Sequence, residues 1–322
     1  MPFFDMPLEQ LEQYRPLTNE PPDFDAFWAE TLTEARQYPL DAQFVPVDSG
    51  LALLDAFDVT YSGYGGQRIK GWYLRPKHVA EALPCVVEYI GYGGGRGYPH
   101  DWVLWPSAGF AVLAMDTRGQ GTSWRKGDTP DLPDGDNPHV PGFMTQGILN
   151  PRHYFYRRVF TDAVRAIEAA RSREDVNPAR IALHGGSQGG GITIAAAALD
   201  GGVDYALPDV PFLCHFERAV GLTNALPYQE ITTYLHTHRD AEAQVFSTLA
   251  YFDGVHFARR LKAESLWSTA LMDEICPPST VFAAYNAAPA AKAIHIYRFN
   301  GHEGGDARHT VRKLHWLRER WG

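Results

Sequence analysis

A change of rhythm near residue 185 leaves this chain few architectures. The apolar run Arg180-Ile181-Ala182-Leu183-His184 stops at Gly185-Gly186-Ser187-Gln188-Gly189, and a small-residue helical pattern begins near Gly191. A strand, a glycine-flanked serine and a helix in direct succession form a G-x-S-x-G turn. In such a turn the serine takes a strained backbone conformation, and close helix–strand packing leaves no room for side chains beside it. Gly185, Gly189, Gly190 and Gly191 meet that requirement. Glycines before a helix also suit phosphate binding at the helix N-terminus. Here no Lys follows them and no G-x-G-x-x-G spacing occurs.

Other short, nearly unbroken apolar runs lie at 85–90, 110–115, 265–272 and 293–297. Strands of that kind belong in a parallel sheet covered on both faces. Helical patterns at 157–173 and 192–199 separate them, so the expected fold is α/β, a doubly wound and mostly parallel sheet. Before it, 8–14 and 24–37 read as an N-terminal helical extension, and 56–61 with 69–74 read as a hairpin. Residues 119–151, rich in Gly, Pro and Asp, are expected to form a long ordered loop. A helical insertion at about 214–262 carries no strand signal and is expected to cap the sheet edge. The whole of 1–322 reads as a single domain.

Composition narrows the function. Hydrophobic residues make up 45%, which excludes a disordered chain. The formal charge is −9 and there are no basic runs, so no nucleic-acid partner is expected. No apolar run reaches the roughly 18–20 residues of a membrane span, and the first ten residues lack a signal-peptide pattern. Cys85, Cys214 and Cys276 are too few and scattered for a disulfide framework or a zinc knuckle, so a reducing, cytoplasmic location is expected.

A serine nucleophile needs a base, and the base needs an orienting acid. Among 13 histidines, His302 follows the last apolar run in Asn300-Gly301-His302-Glu303-Gly304-Gly305. His309 and His315 fall in a C-terminal helical pattern and read as surface residues. His236 and His238 are spaced as a metal pair without an apparent third ligand, so no metal is expected. For the acid, Asp273 ends the 265–272 run, with Glu274 and Asp306 as competitors. The oxyanion needs two backbone N–H donors. Gln188, after the nucleophile, offers one, and Tyr92 in the glycine loop 91–97 offers the other. Arg118, in Arg118-Gly119-Gln120-Gly121, is suited to pinning loops through bidentate bonds.

Together these segments resemble the acetyl xylan esterase/cephalosporin C deacetylase family, carbohydrate esterase family seven. The resemblance rests on Arg118 to Gly121, Gly185 to Gly189 and the His302-Glu303 pair, in that order. The opening Met1-Pro2-Phe3-Phe4-Asp5, the 91–97 loop and Pro227-Tyr228-Gln229-Glu230-Ile231 add to it, so it covers nearly the whole chain. Thr122 stands where many members carry Ser. The resemblance implies an α/β-hydrolase fold, Ser187 as nucleophile, His302 as base, Asp273 as acid, and Tyr92 and Gln188 as oxyanion donors. It also places Pro227 and Ile275 near the acyl group beside Tyr92. It implies deacetylation of small acetylated sugars or an antibiotic ester without cofactor or metal, by homohexameric rings. A peptidase, a general carboxylesterase and a non-catalytic binding protein are the alternatives on the same fold.

Overall fold

The computed structural model describes residues 3–131 and 136–322. Among them nine strands form one sheet: β1 (Gln43–Val47), β2 (Leu54–Ser62), β3 (Arg68–Pro76), β4 (Leu83–Tyr89), β5 (Ala111–Met115), β6 (Val176–Gly186), β7 (Tyr205–Asp209), β8 (Glu264–Ala270) and β9 (Lys292–Tyr297). Their order is β1-β2-β3-β5-β4-β6-β7-β8-β9. The first four positions pair antiparallel, and every pair from β5 to β9 is parallel.

The unbroken apolar runs follow from burial on both faces. Cβ atoms alternate across a strand, so Val87, Leu113 and Leu183 join one core while their neighbours Val86, Val112 and Ala182 join the other. The first core is closed by the helices Phe155–Arg171 and Gln188–Asp200, through Phe160, Ile167 and Ile192. The second is closed by Trp105 and by Leu317 and Trp321 of the helix Asp306–Trp321. The N-terminal helix Phe24–Arg36 docks on the first layer. Its Trp28 ring lies 5.9 Å from Phe160 and 5.4 Å from Phe257, and Arg157 bonds Glu34 at 2.7 Å.

Two strands were not expected, β1 and β7. The expected acid-bearing strand also ends earlier, at Ala270, and the chain then turns before Asp273. The insertion between β7 and β8 is helical as expected, with helices Phe216–Leu222, Tyr228–Thr237, Glu242–Leu249 and Gly254–Ala258. Among the described residues no helix is long and apolar enough to cross a membrane. Strand β4 has β5 on one side and β6 on the other. The connections therefore diverge at β4, and the crevice outside the carboxyl ends of β4 and β6 is where such a sheet receives ligands.

Candidate active site

Ser187 sits in that crevice, between β6 and the helix Gln188–Asp200, at φ 56° and ψ −119°. A non-glycine residue there is strained and persists only where its surroundings hold it. Three backbone bonds do so. The Ser187 N–H donates to the Asp209 carbonyl at 2.9 Å, and its own carbonyl accepts from Phe212 N at 2.9 Å and Gly191 N at 3.1 Å. The turn also demands its glycines. A Cβ on Gly189 would lie 2.2 Å from the Tyr89 carbonyl oxygen, and one on Gly185 would lie 2.4 Å from the Gly189 backbone.

Asp273 follows β8 and His302 follows β9. The turns bearing them are tied by backbone bonds from Leu271 N to Tyr297 O at 3.0 Å and from Met272 N to Asn300 O at 3.2 Å. His302 Nδ1 lies 2.9 Å from Asp273 Oδ2. The other oxygen, Oδ1, accepts from Ile275 N and Cys276 N, each at 2.9 Å. Among the three candidate acids it is Asp273 that bonds the imidazole. Its side chain is 1% exposed and that of His302 is 26% exposed, so the carboxylate is sealed while the ring stays open to a substrate. Glu303 steadies the histidine turn by accepting from Asn300 Nδ2 at 2.7 Å and Gly301 N at 3.1 Å.

Cys276 joins the group. Its buried thiol is pushed well above the usual range by burial first and by the nearby Asp273 charge, against a hydrogen bond with Ser187. The polar atoms of Asp273, Cys276 and His302 lie within 4.8 Å of one another. They are the side chains here with metal-ligand chemistry, but both carboxylate oxygens of Asp273 are already engaged. His236 and His238 are exposed, and the His238 ring stacks on Tyr234 at 4.4 Å.

The loop of Tyr92, the candidate oxyanion donor, is braced by Gln120. Its Oε1 accepts from Gly93 N at 2.8 Å, and its Nε2 donates to Gln188 Oε1, also at 2.8 Å. Gln188 reaches on to the Ile90 carbonyl at 3.0 Å and accepts from Tyr156 at 2.8 Å. One side chain thus ties the loop of Tyr92 to the residue after the nucleophile. The Gln188 N–H lies in the first turn of its helix, where N–H groups lack intrahelical partners. The loop is zipped to its neighbour by Gly95 N to Arg125 O at 2.9 Å and Gly97 N to Lys126 O at 2.8 Å. The Tyr92 carbonyl accepts from Trp124 Nε1 at 2.9 Å. Arg118 grips Asp162 with two bonds, at 2.5 and 2.7 Å, fully buried. Pro227 is buried at the start of the helix Tyr228–Thr237, and Ile275 is half-buried beside the acid.

One expectation is corrected. His309 is not a surface residue but 1% exposed. Its Nε2 lies 3.0 Å from Asp209 Oδ1, and Lys313 from the same helix pairs with Asp209 Oδ2. His184 bridges that carboxylate at 3.2 Å to Glu88 at 3.0 Å. Burial pushes the Asp209 carboxyl up, but the Lys313 charge and the bonds from His184 and His309 outweigh it and hold it well below the usual range. This buried cluster fixes Asp209, whose carbonyl holds Ser187. Sequence reading missed it, along with the bridging bonds of Gln120 and the place of Cys276 beside Asp273 and His302. For Gln120 the signal was its place in the Arg118 to Gly121 motif.

A serine on a strained strand–helix turn, with a carboxylate-bound histidine at neighbouring strand ends of a parallel sheet, defines an α/β-hydrolase. Within that class the sequence matches the acetyl xylan esterase (AXE1) family over residues 1–320, and the chain belongs to it. It is similar to an acetyl xylan esterase from Paenibacillus sp. R4, with 42% identity and a TM-score of 0.91 over 98% of this chain and 99% of that one. Acetyl xylan esterase 1 from Thermoanaerobacterium sp. JW/SL YS485 superposes with a TM-score of 0.89 at 31% identity, again over 98% and 99% of the two chains. Acetyl esterase Axe7A of Xylanibacter ruminicola is 27% identical over 300 residues; these are 90% of this chain but 65% of that curated relative's length.

Proposed function

We propose that this protein is a serine esterase. It removes O-acetyl groups from short acetylated xylooligosaccharides, and from related acetyl esters such as cephalosporin C, through an acetyl-enzyme. The observation that supports it most is the 2.9 Å bond between His302 Nδ1 and Asp273 Oδ2, at the strand ends that also carry Ser187. With Nδ1–H given to Asp273, Nε2 is left as the base. Ser187 Oγ attacks the ester carbonyl carbon as its proton passes to His302. The oxyanion is received by the N–H groups of Tyr92 and Gln188. His302 then protonates the departing sugar alkoxide. It next takes a proton from water, which attacks the acetyl-enzyme, and returns that proton to Ser187 Oγ as acetate leaves. The four insertion helices are read as a cap on a single α/β domain.

Acyl size tests this reading. Tyr92, Pro227 and Ile275 are rigid or branched, and a pocket they line resists expansion. Overpacking costs about 1–3 kcal/mol, so p-nitrophenyl acetate should be hydrolysed at least about tenfold faster than the butyrate by kcat/KM. A butyrate-to-acetate ratio near or above one rejects the small pocket. Absence of any ester hydrolysis favours a binding protein on this fold. Acetate release from acetylated xylooligosaccharides and from cephalosporin C, compared by kcat/KM, identifies the preferred leaving group.

A hexameric ring with sites facing an internal cavity is part of the same proposal, carried by the family resemblance. Light scattering should then report about six times the 35.9 kDa chain mass. A monomer at every working concentration refutes the ring.

A further inference from the structure

We propose that Glu230 is a positioning residue for the acyl pocket, fixing the Tyr92 ring and so deciding which acyl groups the site admits. The proposal rests on the esterase reading and deepens it. Glu230 lies on the helix Tyr228–Thr237 of the insertion, far in sequence from the glycine loop. Tyr92 donates its hydroxyl proton to Glu230 Oε1 at 2.6 Å. The same hydroxyl accepts from Phe143 N at 3.0 Å. Glu230 Oε2 accepts from Met144 N at 3.0 Å.

These bonds have one consistent polarity. The Phe143 and Met144 N–H groups only donate, and the Tyr92 hydroxyl, once it accepts from Phe143, has its single proton left to give. The group between them must accept twice, which a carboxylate does and an amide does not without turning an N–H₂ toward a donor. Three segments meet there: the loop of Tyr92, residues 142–144 and the insertion helix. Tyr92 is therefore tied at its hydroxyl by Glu230 and at its backbone carbonyl by Trp124. On its sides it packs edge-on against Phe143 at 5.7 Å and Phe212 at 6.4 Å. Burial pushes the Glu230 carboxyl up, opposed by its bonds with Tyr92 and Met144. A partly buried carboxylate is costly unless hydrogen-bonded, so those bonds are what make it tolerable there.

Without Glu230 the hydroxyl keeps only its bonds from the Phe143 and Gly142 N–H groups, the hold on the ring is loosened, and the pocket excludes longer acyl chains less strictly. The test compares Glu230→Ala, Glu230→Gln, Tyr92→Phe and the double variant Glu230→Gln/Tyr92→Phe. Each is assayed with p-nitrophenyl acetate and butyrate, separating kcat from KM, and checked by thermal melting. Relief of the overpacking penalty should raise the butyrate-to-acetate ratio about five- to tenfold in Glu230→Ala and in Tyr92→Phe. Glu230→Gln, which keeps one acceptor, should fall between those values and wild type. The double variant should match Tyr92→Phe, because Glu230 acts through the lost hydroxyl. A ratio within about twofold of wild type in folded Glu230→Ala or Tyr92→Phe overturns the proposal, as do additive effects in the double variant. If Glu230→Ala fails to fold, the near-isosteric Tyr92→Phe decides by the same ratio, and the double variant by matching it. Wild-type protein inactive on both esters overturns the esterase reading and this proposal together; an active wild type with unmoved variants overturns this proposal alone.

Discussion

Ser187→Ala is expected to lower kcat for p-nitrophenyl acetate by on the order of 10⁴–10⁶ while the protein stays folded. In the proposed mechanism the hydroxyl oxygen forms the acyl bond, and no neighbour substitutes for it: the Cys276 thiol beside it is held protonated by burial. Stability should change little. The bonds that hold the turn, to Asp209, Phe212 and Gly191, use only the backbone of residue 187. Alanine meets the same strain at φ 56° as serine. A thermal melt and an ester assay on one preparation check both halves. A folded variant that hydrolyses acetate at the wild-type rate removes Ser187 from the mechanism, and the acetyl-enzyme with it.

The parallel half of the sheet was legible because burial on both faces writes itself as unbroken apolar runs, as in β4, β5 and β6. Where a strand is exposed or carries proline that signal disappears. β1 is an edge strand, mostly exposed, with Pro46 inside it. β7 is five residues long and ends in Pro208-Asp209, which reads as a turn. The C-terminal helix shows a different failure. Its buried stripe is His309, Lys313, Leu317 and Trp321, spaced four apart. The spacing is that of a core-facing stripe, but half of it is polar because it lands on Asp209 rather than on apolar surface. A search for apolar periodicity alone passes over such a stripe. In the candidate site, Ser187, Asp273 and His302 stood out in the sequence because each follows an apolar run within a few residues, and strand ends of a parallel sheet converge on one crevice. Gln120 and Glu230 did not stand out, because their hydrogen bonds join segments distant in sequence: Glu230 lies 138 residues from Tyr92.

Asp273→Asn is expected to cost roughly 10⁴ in kcat with little change in fold. In the wild type, Oδ1 is spent on the N–H groups of Ile275 and Cys276, and Oδ2 alone faces the His302 ring. An asparagine keeps the turn by presenting its carbonyl oxygen to those two N–H groups. Its amide N–H₂ must then face Nδ1. An imidazole facing a donor carries its proton on the other nitrogen, so Nε2 becomes the N–H and has no lone pair with which to take the serine proton. The defect is one of tautomer rather than of packing, and its signature is a lost kcat at nearly unchanged melting temperature. Glu274→Gln serves as the control: its carboxylate makes no bond to His302, and its kcat should stay within about threefold of wild type. A crippled Glu274→Gln beside an active Asp273→Asn would move the acid by one residue and break the reading of the 2.9 Å contact as the catalytic one.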